Sequence, residues 1–156
     1  MTLCPVAPRF LEPRLEASIY ESDVAMVYEE SIVLSKPFDE VLEAVKAAFA
    51  AEGFGTLTEI DMQSTLKAKV GKEMGRYVIV GACNPHLASR ALDVVPQIGV
   101  LLPCNVAVRE SNGAVVVEAM DPGLMAKLSD IDTIVPIADE ARVLIGNALG
   151  RLTDLQ

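Results

Sequence analysis

The sequence predicts an α+β domain in which a mixed, largely antiparallel sheet carries helices on one face. Two long amphipathic stretches, near residues 37–53 and 134–152, sit at either end of a set of strand-like segments. Helices segregated in this way pack on one side of a sheet. Asn112-Gly113 separates two apolar runs, the strongest short-range hairpin signal. At 156 residues the chain has room for one domain with one sizeable core.

Residues 1–23 hold Pro5, Pro8 and Pro13 without sustained periodicity, so they read as an N-terminal extension, and the domain is expected to span 24–152. Met26, Tyr28, Ile32 and Leu34 share one parity and suit a strand. Ser35-Lys36-Pro37 opens the first long helix: Ser35 is a capping residue type and proline is tolerated in a first turn. Phe38, Val41, Leu42, Val45, Ala48 and Phe49 make its apolar stripe, and Gly53 stops it.

From Phe54 to Met62 the pattern alternates, with Phe54, Ile60 and Met62 expected on one side and Leu57, Glu59 and Asp61 on the other. Ser64 to Val70 reads as a short helix closed by Gly71. Arg76 to Cys83 is apolar on both faces and suits a central strand. Asn84-Pro85 breaks it, and Leu87 to Val95 reads as a further short helix. Ile98 to Arg109 is expected to be a long strand interrupted at Pro103, which cannot donate a ladder hydrogen bond. Ala114 to Asp121 follows the hairpin turn, and Pro122 to Leu128 forms a turn or short helix. The last helix runs from about Ile134 to Leu152, with Ile137, Ala141, Leu144, Ala148 and Leu152 along one face.

Thirteen basic against 22 acidic residues give a net charge of -9. Such a surface repels nucleic-acid phosphates and anionic lipid, so neither is an expected partner. The most apolar stretch, Val94 to Val108, is interrupted by Pro96, Gln97, Pro103 and Asn105 and falls short of the roughly 20 apolar residues of a membrane span. With no signal-peptide pattern and an odd number of cysteines, a cytoplasmic location is expected, without a disulfide framework.

Cys83 lies in Gly81-Ala82-Cys83-Asn84-Pro85 and Cys104 in Leu102-Pro103-Cys104-Asn105, each followed by asparagine and flanked by proline. Neighbouring strands would bring the two thiols together as a redox pair or thiolate site, although free cysteine is equally a small buried hydrophobe. Cys4 falls in the extension and is given no role. His86 is the only histidine; without paired short spacings such as C-x-x-C, a metal site with Cys83 and Cys104 is not expected. Glu59 and Asp61, two apart on a strand, project from one face and are able to share a proton or hold a cation, or else serve as solvated and capping groups. Lys67, Lys69, Lys72 and Arg76 form the basic cluster that follows them. Nucleophile elbows, dinucleotide loops, phosphate loops and zinc-protease motifs are absent, and aromatic content is 4%, which disfavours stacking platforms.

Three strings taken together resemble the domain-of-unknown-function 302 family: Leu57-Thr58-Glu59-Ile60-Asp61, Gly81-Ala82-Cys83-Asn84-Pro85 and Leu101-Leu102-Pro103-Cys104-Asn105-Val106. The resemblance runs from about Val24 to Leu152. It implies a TATA-binding-protein-like β-α-β(4)-α fold, which carries no expectation of DNA binding, and it places signature positions at Glu59, Asp61, Cys83, Asn84, Pro85, Cys104 and Asn105. His86 matches none. The family brings no activity to carry over. The reading is of a small non-enzymatic module that binds a small molecule at those seven positions, without catalytic residues, metal or cofactor. A homo-oligomer, expected to be a dimer, would bury its large apolar fraction. A thiol-based redox or sulfur-handling protein using Cys83 and Cys104 is the alternative; a hydrolase or metal enzyme using Glu59 and Asp61 ranks third.

Overall fold

The computed structural model describes residues 31–155. The expected extension at 1–23 and the start of the first strand lie outside them. Strands β1 (Ile32–Leu34), β2 (Gly55–Asp61), β3 (Tyr77–Cys83), β4 (Cys104–Ser111) and β5 (Ala114–Ala119) form one sheet in the order β1-β5-β4-β3-β2. Every pairing in it is antiparallel, so the sheet is not mixed. The helices are α1 (Phe38–Ala51), α2 (Met62–Val70), α3 (Pro85–Val94), α4 (Gly123–Ser129) and α5 (Val135–Thr153). One helix, four strands and a last helix follow β1, with the short helices inserted between them.

Alternation along the strands explains the layering. Val78, Val80 and Ala82 of β3 pair with Val108, Val106 and Cys104 of β4, and all six are buried. Val115, Val117 and Ala119 of β5 and Leu34 of β1 complete that face. The stripes of α1 and α5 pack over it, Val41, Val45 and Phe49 from one and Ile145, Ala148 and Leu152 from the other. The opposite face carries Val33, Ile60 and Ile79 and the Arg109–Glu118 ion pair.

Three further sequence expectations are corrected. Ser35 does not cap α1: Pro37 occupies the N-cap position, without a side-chain cap hydrogen bond. In β2, Phe54 and Ile60 do not share a side, because a bulge at Leu57 resets the alternation between Thr56 and Thr58. Phe54 is buried at 2% exposure, whereas Ile60 is 44% exposed. One extra residue is enough to reverse a face. The long strand from Ile98 to Arg109 begins only at Cys104; Pro96–Leu101 is a 3-10 turn that buries Ile98, and Leu102-Pro103 is a cis bond. The hairpin at Asn112-Gly113 forms as expected, with positive φ at both residues.

Candidate functional site

The β3–β4 ladder ends where Ala82 pairs with Cys104, so the two cysteine segments are neighbours. At this end α1 and α5 no longer cover the sheet alone. The chain leaves β3 into α3 and returns through the 3-10 turn to β4. Asn84 makes that exit abrupt: its Oδ1 accepts the backbone N–H groups of His86 at 3.1 Å and Leu87 at 3.3 Å, capping α3 with Pro85 in the first turn. Gly53, at φ 84°, lies close behind: a Cβ there would come within 3.1 Å of Asn84 Nδ2.

Between this strand end and the inner faces of α3 and α5 lies a narrow apolar cleft of about 40 Å³. Its walls include Phe54, Ala82, Leu87, Ile98, Cys104 and Met125, with Cys83 and Asn84 at the rim. A shallow outer groove of about 650 Å³ adjoins it, lined by residues that include Gly53, Gly55, Leu57, Pro85, Ser89 and Leu92. The cleft and the groove share Cys83 and Ala88. Among the described residues, no charged side chain lines either one. The pair therefore suits an uncharged, largely apolar occupant.

Of the two thiols, Cys83 is half-buried and Cys104 buried. Cys104 points inward with Ala82, and Cys83 is one residue further along β3, on the opposite phase of the alternation. Burial raises the Cys83 thiol, and burial together with the neighbouring Cys83 pushes Cys104 up to about 11. Both are free thiols, protonated at neutral pH, whereas nucleophilic cysteines have lowered values.

The structure gathers Cys83, Asn84, Pro85 and Cys104 of the seven sequence candidates. The other three go elsewhere. Glu59 forms an ion pair with Lys46 of α1 at 3.0 Å. Asp61 caps α2, accepting from the Ser64 N–H at 2.9 Å and the Ser64 hydroxyl at 2.7 Å; these hydrogen bonds hold its carboxyl below the ordinary range. Asn105 pairs with Gly81 and is exposed, and its carbonyl accepts from the Met120 N–H. Among the described residues no group of three or more histidine, cysteine or acidic side chains is placed to hold a metal ion, and His86 is exposed at the start of α3. The basic cluster is engaged in part by Lys67–Glu73 and Arg76–Asp39 pairs. Sequence reasoning missed the walls contributed by α3, the 3-10 turn and α5. Small residues facing inward at Ala91, Ala138 and Ala141 were the available signal, because they leave space that larger side chains would fill.

The chain matches the family described as domain of unknown function DUF302 over residues 30–152. It belongs to the DUF302 family. A crystal structure of an uncharacterized conserved DUF302 protein from Bacillus stearothermophilus is similar to it, with 24% sequence identity and a TM-score of 0.73; the match covers 78% of this chain and 95% of that one. That similarity shows the fold the family shares. No curated protein matches the chain. Among the described residues, no helix of this DUF302 chain is long and apolar enough to cross a membrane.

Proposed function

We propose that this DUF302 protein is a non-enzymatic binding module that takes a small, uncharged, elongated molecule. The apolar end of the ligand enters the cleft beside Cys104 and the remainder lies in the outer groove past Cys83, Pro85 and Leu57. The observation that carries this reading is that cleft and groove adjoin, with Cys83 and Ala88 lining both, and that no charged side chain among the described residues lines either.

Size narrows the ligand. Each water-sized sphere needs about 10–15 Å³, so a 40 Å³ cleft admits a tip of roughly three non-hydrogen atoms. At about 0.8 kcal/mol per buried methylene, that tip contributes about 2.4 kcal/mol. The cleft selects the end of a chain, and most contact area must come from the groove, where Leu57 is 65% and Leu92 40% exposed.

The unpaired thiols Cys83 and Cys104 support a cytoplasmic location, where reducing conditions preserve them. A homodimer is supported by apolar side chains on the sheet face opposite the described helices, such as Ile60, exposed by 44%. The redox alternative finds less support, since both thiols are raised and out of phase along the ladder.

Thermal unfolding in a series of straight-chain alcohols tests the binding reading. The melting temperature should rise with ligand concentration by mass action. Removing three terminal carbons should weaken binding about 50-fold. Leu57→Glu, on an exposed position, should reduce the shift without unfolding the protein. No chain-length dependence and no effect of Leu57→Glu would dismiss the site.

A further inference from the structure

The polar groups around the cleft carry a constraint that its apolar walls do not. Among the described side chains lining it, Asn84 brings an amide, whereas Cys83 and Cys104 bring thiols, which donate and accept weakly. Asn84 Oδ1 already accepts the His86 and Leu87 N–H groups. That fixes the orientation of the amide, since turning it over would set Nδ2 against two donors. Nδ2 is left on the side of Gly53, where a Cβ would come within 3.1 Å of it. Asn84 lines the cleft and Gly53 the groove, so this donor stands where the two meet. Among the described residues Nδ2 has no acceptor. No buried side-chain nitrogen or oxygen among them lacks a partner, so Nδ2 is not sealed off and a ligand atom can reach it.

We propose that Asn84 Nδ2 donates a hydrogen bond to the ligand, and that the ligand is a neutral carbonyl compound such as a ketone, ester or amide. Its oxygen follows an apolar end of about three carbons, the length that the 40 Å³ cleft admits. This rests on the binding reading above and adds to it the group that fixes how deep the ligand sits. A carbonyl suits the position better than a hydroxyl. Oδ1 is spent on α3, so the lining side chains leave no strong acceptor for a ligand O–H. A carboxylate is opposed, because no cation among the described residues lines the cleft or the groove, and an unpaired charge is costly to bury.

Positional isomers provide the test, because 2-octanone and 4-octanone share a composition and differ in where the oxygen sits. In NMR titrations of the full chain, 4-octanone, with three carbons beyond its carbonyl, should bind about fivefold tighter than 2-octanone, the worth of one neutral hydrogen bond. The Asn84 side-chain N–H signals should move further with 4-octanone than with 2-octanone. Asn84→Asp keeps an oxygen on the α3 cap but removes the donor, so the preference should disappear while the unfolding midpoint stays near that of the wild type. Equal affinity for the two isomers, or Asn84 amide signals that stay in place on binding, would overturn the inference and leave the binding reading standing. A preference that survives Asn84→Asp, or that is lost in Ser89→Ala or Cys83→Ala instead, would assign the oxygen to another group and also overturn it. A protein that binds neither ketone nor 1-octanol would remove both readings.

Discussion

Replacing Gly81 with alanine puts a methyl group where the fold leaves no room for one. Gly81 is buried in β3 opposite Thr58 of the edge strand and Asn105 of β4. A Cβ there would strike Thr58 Oγ1 and come within 2.8 Å of Pro103 Cγ. The threonine can rotate away, but the proline ring sits in the turn that delivers Cys104 to the cleft. Overpacking of this kind costs about 1–3 kcal/mol. Alanine also recovers about 0.5–1 kcal/mol of the entropy that glycine loses in a strand. The net expectation is a loss of about 1–2 kcal/mol. At about 4 °C per kcal/mol for a domain of this size, melting should fall by about 4–8 °C. Calorimetry of Gly81→Ala, Thr58→Ala and the double variant measures this directly. Thr58→Ala should recover part of the loss, because it removes the hydroxyl and leaves only the Pro103 contact. A Gly81→Ala protein as stable as wild type, or a double variant without coupling, would refute the packing at this strand end.

Asn84→Ala removes the cap of α3 and should cost about 1 kcal/mol, seen as a lower urea midpoint; Asn84→Asp should retain most of it, and equal stability of all three proteins would contradict the cap. Peptide mapping after iodoacetamide at pH 7.5 should find Cys104 unlabelled in the native protein and fully labelled in urea, with Cys83 labelled slowly. Rapid native labelling of Cys104 would contradict a thiol held up near 11. Hydrogen bonds from Arg109 lower the Glu118 carboxyl, and those from Ser64 lower Asp61. A depressed carboxylate stabilises the fold above its ordinary value and ceases to do so as pH falls through the depressed one. Urea midpoints should therefore hold between pH 7 and 5 and decline below about pH 4, and a midpoint that rises on acidification would contradict both assignments.

The regular elements were legible because each repeats a period. Phe38, Val41, Val45 and Phe49 mark α1 at helical spacing, and Val78, Val80 and Ala82 mark the inner face of β3. Where one residue decides, the pattern misled. Nothing in Gly-Thr-Leu-Thr announces a bulge, yet the bulge at Leu57 turns Ile60 away from Phe54. The run Pro96–Leu101 is as apolar as a strand, and its compaction into a 3-10 turn follows from burying Ile98 against the core, a tertiary effect. In the site, Cys83-Asn84-Pro85 and Cys104 were readable as neighbours because adjacent strands bring them together. The acidic pair was misplaced relative to them: Lys46 and Ser64 engage Glu59 and Asp61 locally, and neither interaction follows from spacing within β2. Charged partners such as Arg90–Glu140, Arg109–Glu118 and Arg151–Glu52 likewise meet only in the folded chain.

A methyl-resolved NMR titration with 1-octanol reports most directly on whether the recess beside Cys104 accepts the end of an aliphatic molecule. Intermolecular contacts from the terminal methyl of the alcohol should reach Ile98, Leu87 and Met125, while its middle carbons touch Leu57 and Leu92. Contacts confined to Leu57 and Leu92, or spread evenly over the exposed leucines and valines of the surface, would contradict it.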